Sequence, residues 1–357
     1  MKKILLAGIV AGAIAAGIGS AVAGDELVLN RNAAIQFATL PDGVRFPEGI
    51  TANPSTGDIF VATFDFGPNA NKLMRFAKNG HLSAIKDFGG TPILGLDFDA
   101  ARGKVYILNF GASMVQRIAA DFNAGTPVEN VATLPNLGAP ANRSVGNPDG
   151  SSDTIIFGSN SFPAPNAMTI DRSGNAYVSD SFQGAIFRID NIATCAKPCA
   201  VTTVVHDPLL ATAGFPPFGA NGLALDASQT SLFIANTGDN RVLKMDLATK
   251  AISVFAESVH GADGLVLDDD GRLWVCANQG DHIVALNENG RVIAKLGEFQ
   301  GIRKDGTPDG LLFPASPVIV GGWMYVTNLA LPLTGSAAEW EGDVTRWTVS
   351  RIKLPKR

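Results

Sequence analysis

The chain has 357 residues, of which 46% are hydrophobic and 17% are charged, and its formal net charge is −5. A mildly acidic chain argues against nucleic acid or an anionic membrane as the main partner. The 39 glycines and 20 prolines interrupt the chain too often for long helices, so the composition predicts a turn-rich, strand-rich globular fold.

The first element along the chain has the features of an export signal. Two lysines precede an apolar stretch rich in Gly and Ala, and Ala21-Val22-Ala23 is a small-residue cleavage pattern before Gly24. We predict a signal peptide over residues 1–23, a single domain over 24–357, and a periplasmic or extracellular location. A membrane anchor is disfavoured because Gly and Ala dilute the apolar stretch and no second long apolar run follows. No membrane span is therefore expected once the signal is removed.

After this segment, a pattern of apolar strand, polar turn and apolar strand recurs six times. The copies begin at Phe46, Ile93, Pro165, Gly219, Gly261 and Ala315. Most copies continue into a third and a fourth short strand, such as KLMRF and AISVF. Four short strands per repeat predict an all-β fold, a six-bladed β-propeller with four-stranded antiparallel blades. A parallel α/β fold is excluded because no amphipathic helical stretch separates the strand pairs.

Two segments complete or interrupt this pattern. The sixth copy lacks a clear fourth strand, and residues 34–40 near the N-terminus supply one. We predict that this strand lies beside the C-terminal segment 344–349 and closes the ring, which removes an open sheet edge. Residues 134–162, between the second and third copies, are too polar and glycine-rich for a core and are predicted to form a surface loop.

The three cysteines differ in their surroundings. Cys195 and Cys199 bracket the short loop CAKPC and could form a disulfide in an oxidising compartment. Cys276 lies inside a strand pattern and is predicted to be a buried thiol. None of the three has the spacing of a zinc site.

One position at the start of the first strand of each copy is mostly polar. In chain order it is occupied by Glu48, Leu94, Asn166, Asn221, Asp263 and Ser316. The first strand of a propeller blade lines the central channel, so these side chains are expected to meet around the axis. Taken singly, each could be a polar strand start that satisfies local backbone groups.

Four of these residues together predict a metal site. Glu48, Asn166, Asn221 and Asp263 offer two carboxylates and two amide carbonyls, which are hard oxygen ligands with a formal charge of −2. Such a set suits Ca²⁺ better than zinc or copper. We predict a single Ca²⁺ at the hub of the ring.

The motifs FPEG, PNAMTID, ANGLALD and ADGLVLDDDGRLWV resemble the channel-lining motifs of six-bladed calcium-dependent hydrolases. These include the senescence-marker-protein/gluconolactonase family and, more distantly, diisopropyl fluorophosphatases and paraoxonases. The resemblance implies that Glu48, Asn166, Asn221 and Asp263 bind the catalytic metal. It further implies a hydrolase in which Ca²⁺ polarises the carbonyl of a small lactone or ester, and the signal pattern adds that this hydrolase is secreted. Asp263 would then orient or deprotonate the attacking water.

Other assignments remain open at this point. His260, three residues before Asp263, could assist a proton transfer, or it could be an ordinary hydrogen-bonded loop histidine. The turns at 236–240 and 278–281 are expected to join second and third strands and could border the cavity. Two other classes of protein are compatible with the pattern: a non-catalytic binding protein with a structural calcium, and a strictosidine-synthase-like or NHL-type propeller.

Overall fold

Six four-stranded antiparallel sheets surround a central axis, and the inner strand of each sheet contacts the inner strands of both neighbouring sheets. The structure, a computed structural model, describes residues 27–355 except 69, 158–161 and 335–338. In these residues the regular structure consists of 29 strands and three short 3-10 helices. The predicted six-bladed propeller is confirmed. The predicted signal peptide lies outside the described residues.

The strands are numbered in chain order, and within each blade they run from the axis to the rim. Two strands precede the first blade, β1 (Val28–Asn30) and β2 (Ala34–Thr39). Blades one and two consist of β3 (Pro47–Ala52), β4 (Ile59–Thr63), β5 (Asn71–Phe76), β6 (Leu82–Gly89), β7 (Ile93–Asp99), β8 (Lys104–Asn109), β9 (Met114–Ala119) and β10 (Glu129–Thr133). A hairpin of β11 (Arg143–Gly146) and β12 (Ser152–Ile155) follows.

The second half of the chain continues in the same way. Blades three and four consist of β13 (Pro165–Ile170), β14 (Ala176–Asp180), β15 (Ala185–Ile189), β16 (Thr202–His206), β17 (Ala220–Leu225), β18 (Ser231–Asn236), β19 (Arg241–Asp246) and β20 (Ile252–Glu257). Blade five and a second hairpin consist of β21 (Ala262–Leu267), β22 (Leu273–Ala277), β23 (His282–Leu286), β24 (Val292–Leu296), β25 (Phe299–Ile302) and β26 (Pro308–Gly310). Blade six begins with β27 (Pro314–Val320), β28 (Trp323–Asn328) and β29 (Thr348–Lys353). The 3-10 helices are Phe110–Ala112, Asn278–Gly280 and Trp340–Asp343.

The N-terminal strand closes the ring as predicted. Strand β2 is the outermost strand of blade six and pairs antiparallel with β29, with Ala34 opposite Ile352 and Thr39 opposite Thr348. Its partner strand begins a few residues later than the predicted segment 344–349. Strand β1 adds a fifth, parallel strand to the rim of blade five, which the sequence pattern did not indicate.

The segment 134–162 is only partly the surface loop that was predicted. Its described residues, 134–157 and 162, are mostly exposed, but the segment contains the hairpin of β11 and β12. The sequence NPDG at 147–150 explains the difference, because Asn, Asp and Gly favour a tight turn. In this turn the Gly150 backbone has φ of +88°, and Asn147 donates from its backbone N–H to the carbonyl of Ser151. The hairpin is a surface element rather than core.

Apolar clusters fill the spaces between adjacent blades. Trp274 on β22 is fully buried between blades five and six, and its indole Nε1 donates to Asp268 at 2.7 Å. Cys195 and Cys199 form a disulfide with a Cα–Cα distance of 5.5 Å, and Cys276 is a free, buried thiol. Both cysteine predictions are thereby confirmed. No helix in the described part of the chain is long and apolar enough to cross a bilayer.

Candidate metal centre

A β-bulge at the start of every inner strand places the candidate ligands. In blade one, Pro47 pairs with Thr63 and Ile50 with Val61, so Glu48 and Gly49 together face one residue of β4. The pairing shifts in the same way at the start of the other five inner strands. A bulge re-aims its side chains and bends the strand. The first bulge residue in blades one, three, four and five is a predicted ligand: Glu48, Asn166, Asn221 and Asp263.

The bulge also corrects the assignment in blade six. The shift there lies between Pro314 and Pro317, so Ala315 rather than Ser316 is the first bulge residue. Ser316 instead lines a narrow cavity enclosed by inner-strand residues, which is the axial channel. The position predicted for blade six is therefore wrong by one residue, because the apolar pattern does not reveal where a bulge inserts its extra residue.

The second bulge residue is glycine in four blades because the inner strands nearly touch. A Cβ at any of these positions would lie 2.0 to 2.6 Å from a carbonyl oxygen of the next inner strand, too close for any side chain. The four residues are Gly49, Gly95, Gly222 and Gly264. Tight packing here brings neighbouring ligand positions together around the axis.

The four predicted ligands line one cavity that opens on one face of the ring. Including the space up to its mouth, its volume is about 390 Å³. Each of the four side chains is at most 5% exposed. Leu94, Thr237 and Asn278 also line this cavity. The predicted convergence of sequence-distant residues at the hub is therefore observed.

Two hydroxyls fix the orientation of the ligand amides. Ser181 Oγ donates its only hydrogen to the carbonyl of Ala220 in blade four at 2.7 Å. It can therefore only accept from Asn166, whose Nδ2 lies 2.9 Å away. This bond holds the amide nitrogen of Asn166 against Ser181 and leaves its Oδ1 without a partner.

Blade four repeats the arrangement. Thr237 Oγ1 donates to the carbonyl of Ala262 in blade five at 2.7 Å and accepts from Asn221 Nδ2 at 2.9 Å. In blade five, Asn278 Nδ2 donates to Asp263 Oδ2 at 2.9 Å. Each predicted ligand in blades three to five is thus held by the residue that directly follows the second strand of its own blade.

Among the described residues, three buried oxygen atoms of the predicted ligands have no hydrogen-bond partner. They are Glu48 Oε2, Asn166 Oδ1 and Asp263 Oδ1; Asn278 Oδ1 is also unpartnered but lies against Gly261, because the Asn278 amide turns its nitrogen to Asp263. A buried polar atom without a partner costs free energy, and several acceptor oxygens around one cavity fit a bound cation. Two carboxylates with amide oxygens are a donor set for a hard cation such as Ca²⁺. In the described residues no three His, Cys, Asp or Glu side chains cluster, as most transition-metal sites would require.

Among the described residues that line the cavity, none is a cation that could pair with the two buried carboxyl groups. Burial, and then the nearby Asp263 carboxylate, raise the pKa of Glu48 well above its ordinary value. Burial raises the pKa of Asp263 to about 7, although hydrogen bonds from Asn278 and Asn221 act in the opposite direction. Without a counterion this hub therefore resists ionisation, and a bound cation would reverse that preference.

His260, the second catalytic candidate, lies outside the hub cavity. His260 is exposed and does not line the cavity, so the structure does not bring it together with the four hub residues. Asn278, Thr237 and Ser181 were not among the predicted site residues. The sequence contains a pattern that could have identified them: in blades three to five, a polar residue follows the second strand, 15 or 16 positions after the predicted ligand. The expectation that the turns at 236–240 and 278–281 border the cavity is confirmed through Thr237 and Asn278.

These features define a class: six-bladed propellers whose inner strands place acidic and amide side chains at the hub. Residues 164–297, which span blades three to five, match the family described as SMP-30/Gluconolactonase/LRE-like region. The matched segment includes Asn166, Asn221, Asp263 and Asn278. The family resemblance seen in the sequence is thereby confirmed. A sequence search among curated proteins found no match.

Solved structures share the fold. Regucalcin from Agrobacterium tumefaciens, described as a calcium-binding protein, superposes with a TM-score of 0.62 at 14% identity over 92% of this chain and 95% of its own. A protein assigned provisionally as a gluconolactonase gives 0.58 at 17% identity over 92% of both chains. Virginiamycin B lyase from Staphylococcus aureus gives 0.53 at 14% identity over 90% of this chain and 98% of its own. At such identities the likeness establishes the fold alone.

Proposed function

We propose that this protein is a calcium-dependent hydrolase that acts on a small lactone or ester at the propeller hub. The observation that carries the proposal is the set of three unpartnered, buried oxygen atoms from Glu48, Asn166 and Asp263 around one open cavity. The family match over residues 164–297 supports a lactonase-type reaction.

Glu48, Asn166, Asn221 and Asp263 would hold the ion, and Asn278 would orient Asp263 through the hydrogen bond from its Nδ2. When bound, Ca²⁺ would supply Lewis-acid polarisation of the acyl oxygen. The fixed amides of Asn166 and Asn221 keep their oxygens available without reorganisation during the reaction.

Asp263 would orient the attacking water and accept its proton. Its Oδ2 is held by Asn278, while its Oδ1 is unpartnered. The water oxygen forms a bond to the acyl carbon, the bond from that carbon to the alkoxy oxygen breaks, and the leaving oxygen receives the proton. A carboxylate that also binds a cation is a weak base, so we expect the orienting role of Asp263 to exceed its role as a base. The exposed position of His260 gives no support for a part in this transfer.

Export is proposed together with this activity. The signal pattern over residues 1–23 predicts a mature N-terminus at Gly24. The Cys195–Cys199 disulfide supports an oxidising compartment outside the cytoplasm. N-terminal sequencing of protein recovered from the producing cell tests this, and a chain that still begins at Met1 would refute it.

The activity is tested on a panel of aldonolactones, alkyl lactones, aryl esters and phosphotriesters, each with calcium and with a chelator. We expect hydrolysis of at least one lactone or ester, loss of the activity in chelator, and recovery on adding Ca²⁺. Metal analysis of the purified protein accompanies the assay. A protein that binds calcium and hydrolyses none of the panel would be a propeller binding protein instead.

A further inference from the structure

The ring around the hub has a polar half and an apolar half. The residue that directly follows the second strand is polar in blades three, four and five and apolar in blades six, one and two. In chain order these residues are Phe64, Phe110, Ser181, Thr237, Asn278 and Leu329. The polar three hold ligand side chains, as described above. The apolar three occupy the same register on the opposite side and can hold none.

Aromatic rings continue the apolar half toward the mouth of the cavity. Phe64 lines the cavity and packs edge-on against Phe110 with ring centroids 5.2 Å apart. Phe218 approaches Phe64 at 6.1 Å and Phe182 at 5.5 Å, and it also lines the cavity. Phe66, which is 70% exposed, packs on Phe64 at 4.9 Å and extends the apolar surface outward.

Leucines complete this wall. The side chains of Leu94, Leu329, Leu331 and Leu333 line the cavity, together with Phe313 and Pro216. Leu331 and Leu333 are half-buried, so they are accessible from the cavity rather than sealed in the core. The floor thus carries the polar side chains, and the apolar wall comes from blades six, one and two and from residues 216–218 before blade four.

Charge at the cavity is confined to the floor. Of the described residues that line it, only Glu48 and Asp263 are charged, and none is Lys, Arg or His. A sugar lactone that fills this space would place hydroxyl groups against phenylalanine and leucine, where they would lose their hydrogen bonds to water without replacement. An alkyl or aryl group would instead be removed from water by this wall.

From this asymmetry we propose that the substrate is a lactone or ester with an apolar alkyl or aryl substituent. The substituent lies on the wall formed by Phe64, Leu94 and Leu331, and the acyl group faces the polar floor. The inference rests on the proposed hydrolase function and adds to it a class of substrate. It disfavours polyhydroxylated lactones as substrates of this chain.

The first test is a series of δ-lactones whose ring substituent grows from none to a six-carbon chain, compared with gluconolactone. Burial of each methylene is worth ~0.8 kcal/mol, so kcat/KM is expected to rise about fourfold per carbon for the first few carbons. Gluconolactone is expected to react no faster than the unsubstituted lactone. A flat series, or gluconolactone as the best substrate, would overturn the proposal.

A matched pair of variants locates the effect. Leu331→Gln places a polar amide on the wall, whereas Leu29→Gln makes the same change at an exposed leucine of β1, 65% accessible and far from the hub. We expect Leu331→Gln to reduce the preference for the longest chain over the unsubstituted lactone by about tenfold or more. Leu29→Gln should leave this ratio unchanged. If the two variants behave alike, the wall does not bind the substituent. Should Leu331→Gln fail to fold, Leu333→Gln at the rim of the same wall replaces it.

A binding experiment separates this inference from the proposed activity. Alkyl δ-lactams resemble the lactones and are not hydrolysed under assay conditions, and their affinity can be measured by calorimetry with calcium present. Affinity that rises with chain length, without turnover of any lactone or ester of the panel, would sustain the apolar site and refute the hydrolase. Turnover of lactones without any dependence on chain length in either series would refute the apolar site alone. Failure of both series would refute both.

Discussion

Ser181 and Ser179 lie two residues apart in blade three, and only one of them determines how a ligand is presented. Both are buried and both donate to a backbone carbonyl of blade four at 2.7 Å. Ser181 also accepts from the side chain of Asn166, whereas Ser179 accepts from the backbone N–H of Ala167. The Ser181 hydroxyl has one hydrogen, which it donates to the carbonyl of blade four. Its oxygen can then only accept, so the amide of Asn166 must turn its nitrogen toward Ser181.

This comparison makes the first prediction. Ser181→Ala and Ser179→Ala should each cost about 1 to 3 kcal/mol of stability, because each leaves buried groups without a partner. Only Ser181→Ala should also weaken calcium binding, by about tenfold or more, since residues behind metal ligands commonly have effects of that size. Calorimetric calcium titration and denaturant melts measure both quantities. Equal calcium affinity in the two variants would show that Ser181 does not position Asn166.

The second prediction concerns the effect of the two buried carboxyl groups on how stability depends on pH. The folded-state pKa values of Glu48 and Asp263 are raised above their ordinary values. Their contribution to stability is therefore greatest at low pH and is lost as the pH rises through the folded pKa, which is about 7 for Asp263. In chelator, we expect the melting temperature of the wild type to fall between about pH 5 and about pH 8, and calcium to oppose this fall.

Glu48→Gln is the matched control for this pH effect. Removal of one buried charge should make the calcium-free protein more stable near neutral pH and less dependent on pH, while most of the stabilisation by calcium is lost. Asp97, whose pKa burial also raises to about 7, titrates in both proteins and cancels in their difference. Superimposable pH profiles for the two proteins in chelator would contradict the assignment of Glu48 to a charged pair at the hub.

At the scale of the element, the bulge at the start of each inner strand is the unit that places side chains at the hub. The first residue of the bulge faces the hub, and the second, which we call the spacer, faces the neighbouring inner strand. The spacer must be glycine where the strands are closest. At Gly222, an added Cβ would lie 2.3 Å from the carbonyl oxygen of Asp263 and 2.7 Å from the backbone nitrogen of Leu265.

Gly222→Ala is therefore predicted to destabilise the protein by about 3 kcal/mol or more, because backbone atoms cannot move aside as a flexible side chain can. It should also weaken calcium binding by separating Asn221 from Asp263. Gly146→Ala is the control, since Gly146 lies in β11 with no atom within 4 Å of its Cβ position, and its effect should stay within about 0.5 kcal/mol. Urea melts of both variants check this, and a Gly222→Ala protein as stable as the control would show that the channel can widen.

At the scale of the whole molecule, the ring depends on one strand from the opposite end of the chain. Strand β2 completes blade six, and its residues Ala34 and Ala38 are buried there. Strand β1, by contrast, only adds to the rim of blade five, and its residues are exposed. The two N-terminal strands should thus differ greatly in their contribution to stability.

The fourth prediction compares two truncations of the mature chain. A protein that begins at residue 41 lacks β2 and leaves the edge of β29 unpaired, so we expect a large fall in melting temperature and a tendency to aggregate. A protein that begins at residue 32 lacks only β1 and should lose a small part of that stability. Thermal melts and size-exclusion chromatography compare them. Equal behaviour of both truncated proteins would mean that closure by β2 is dispensable.

Much of this architecture could be predicted from the sequence, because a propeller repeats its hydrophobic pattern and a fixed register then assigns each inner strand to the channel. That reasoning was sufficient to group Glu48, Asn166, Asn221 and Asp263 and to pair residues 34–40 with the C-terminal region. It could not place Ser316 correctly or foresee the hairpin β11–β12, because one extra residue in a bulge and one tight turn leave the apolar periodicity almost unchanged.

The tertiary structure alone decided which atoms are free at the hub. Whether Asn166 turns its oxygen or its nitrogen to the cavity depends on Ser181, and Ser181 is committed by a carbonyl of the next blade. Asn278 joins the site only because its own blade folds it against Asp263. The sequence by itself determined the repeat, the ring and the kinds of side chain at the hub, since those follow from local pattern. The orientation of the hub amides and their hydrogen-bond partners depend on contacts between blades, and those contacts exist only once the ring is closed.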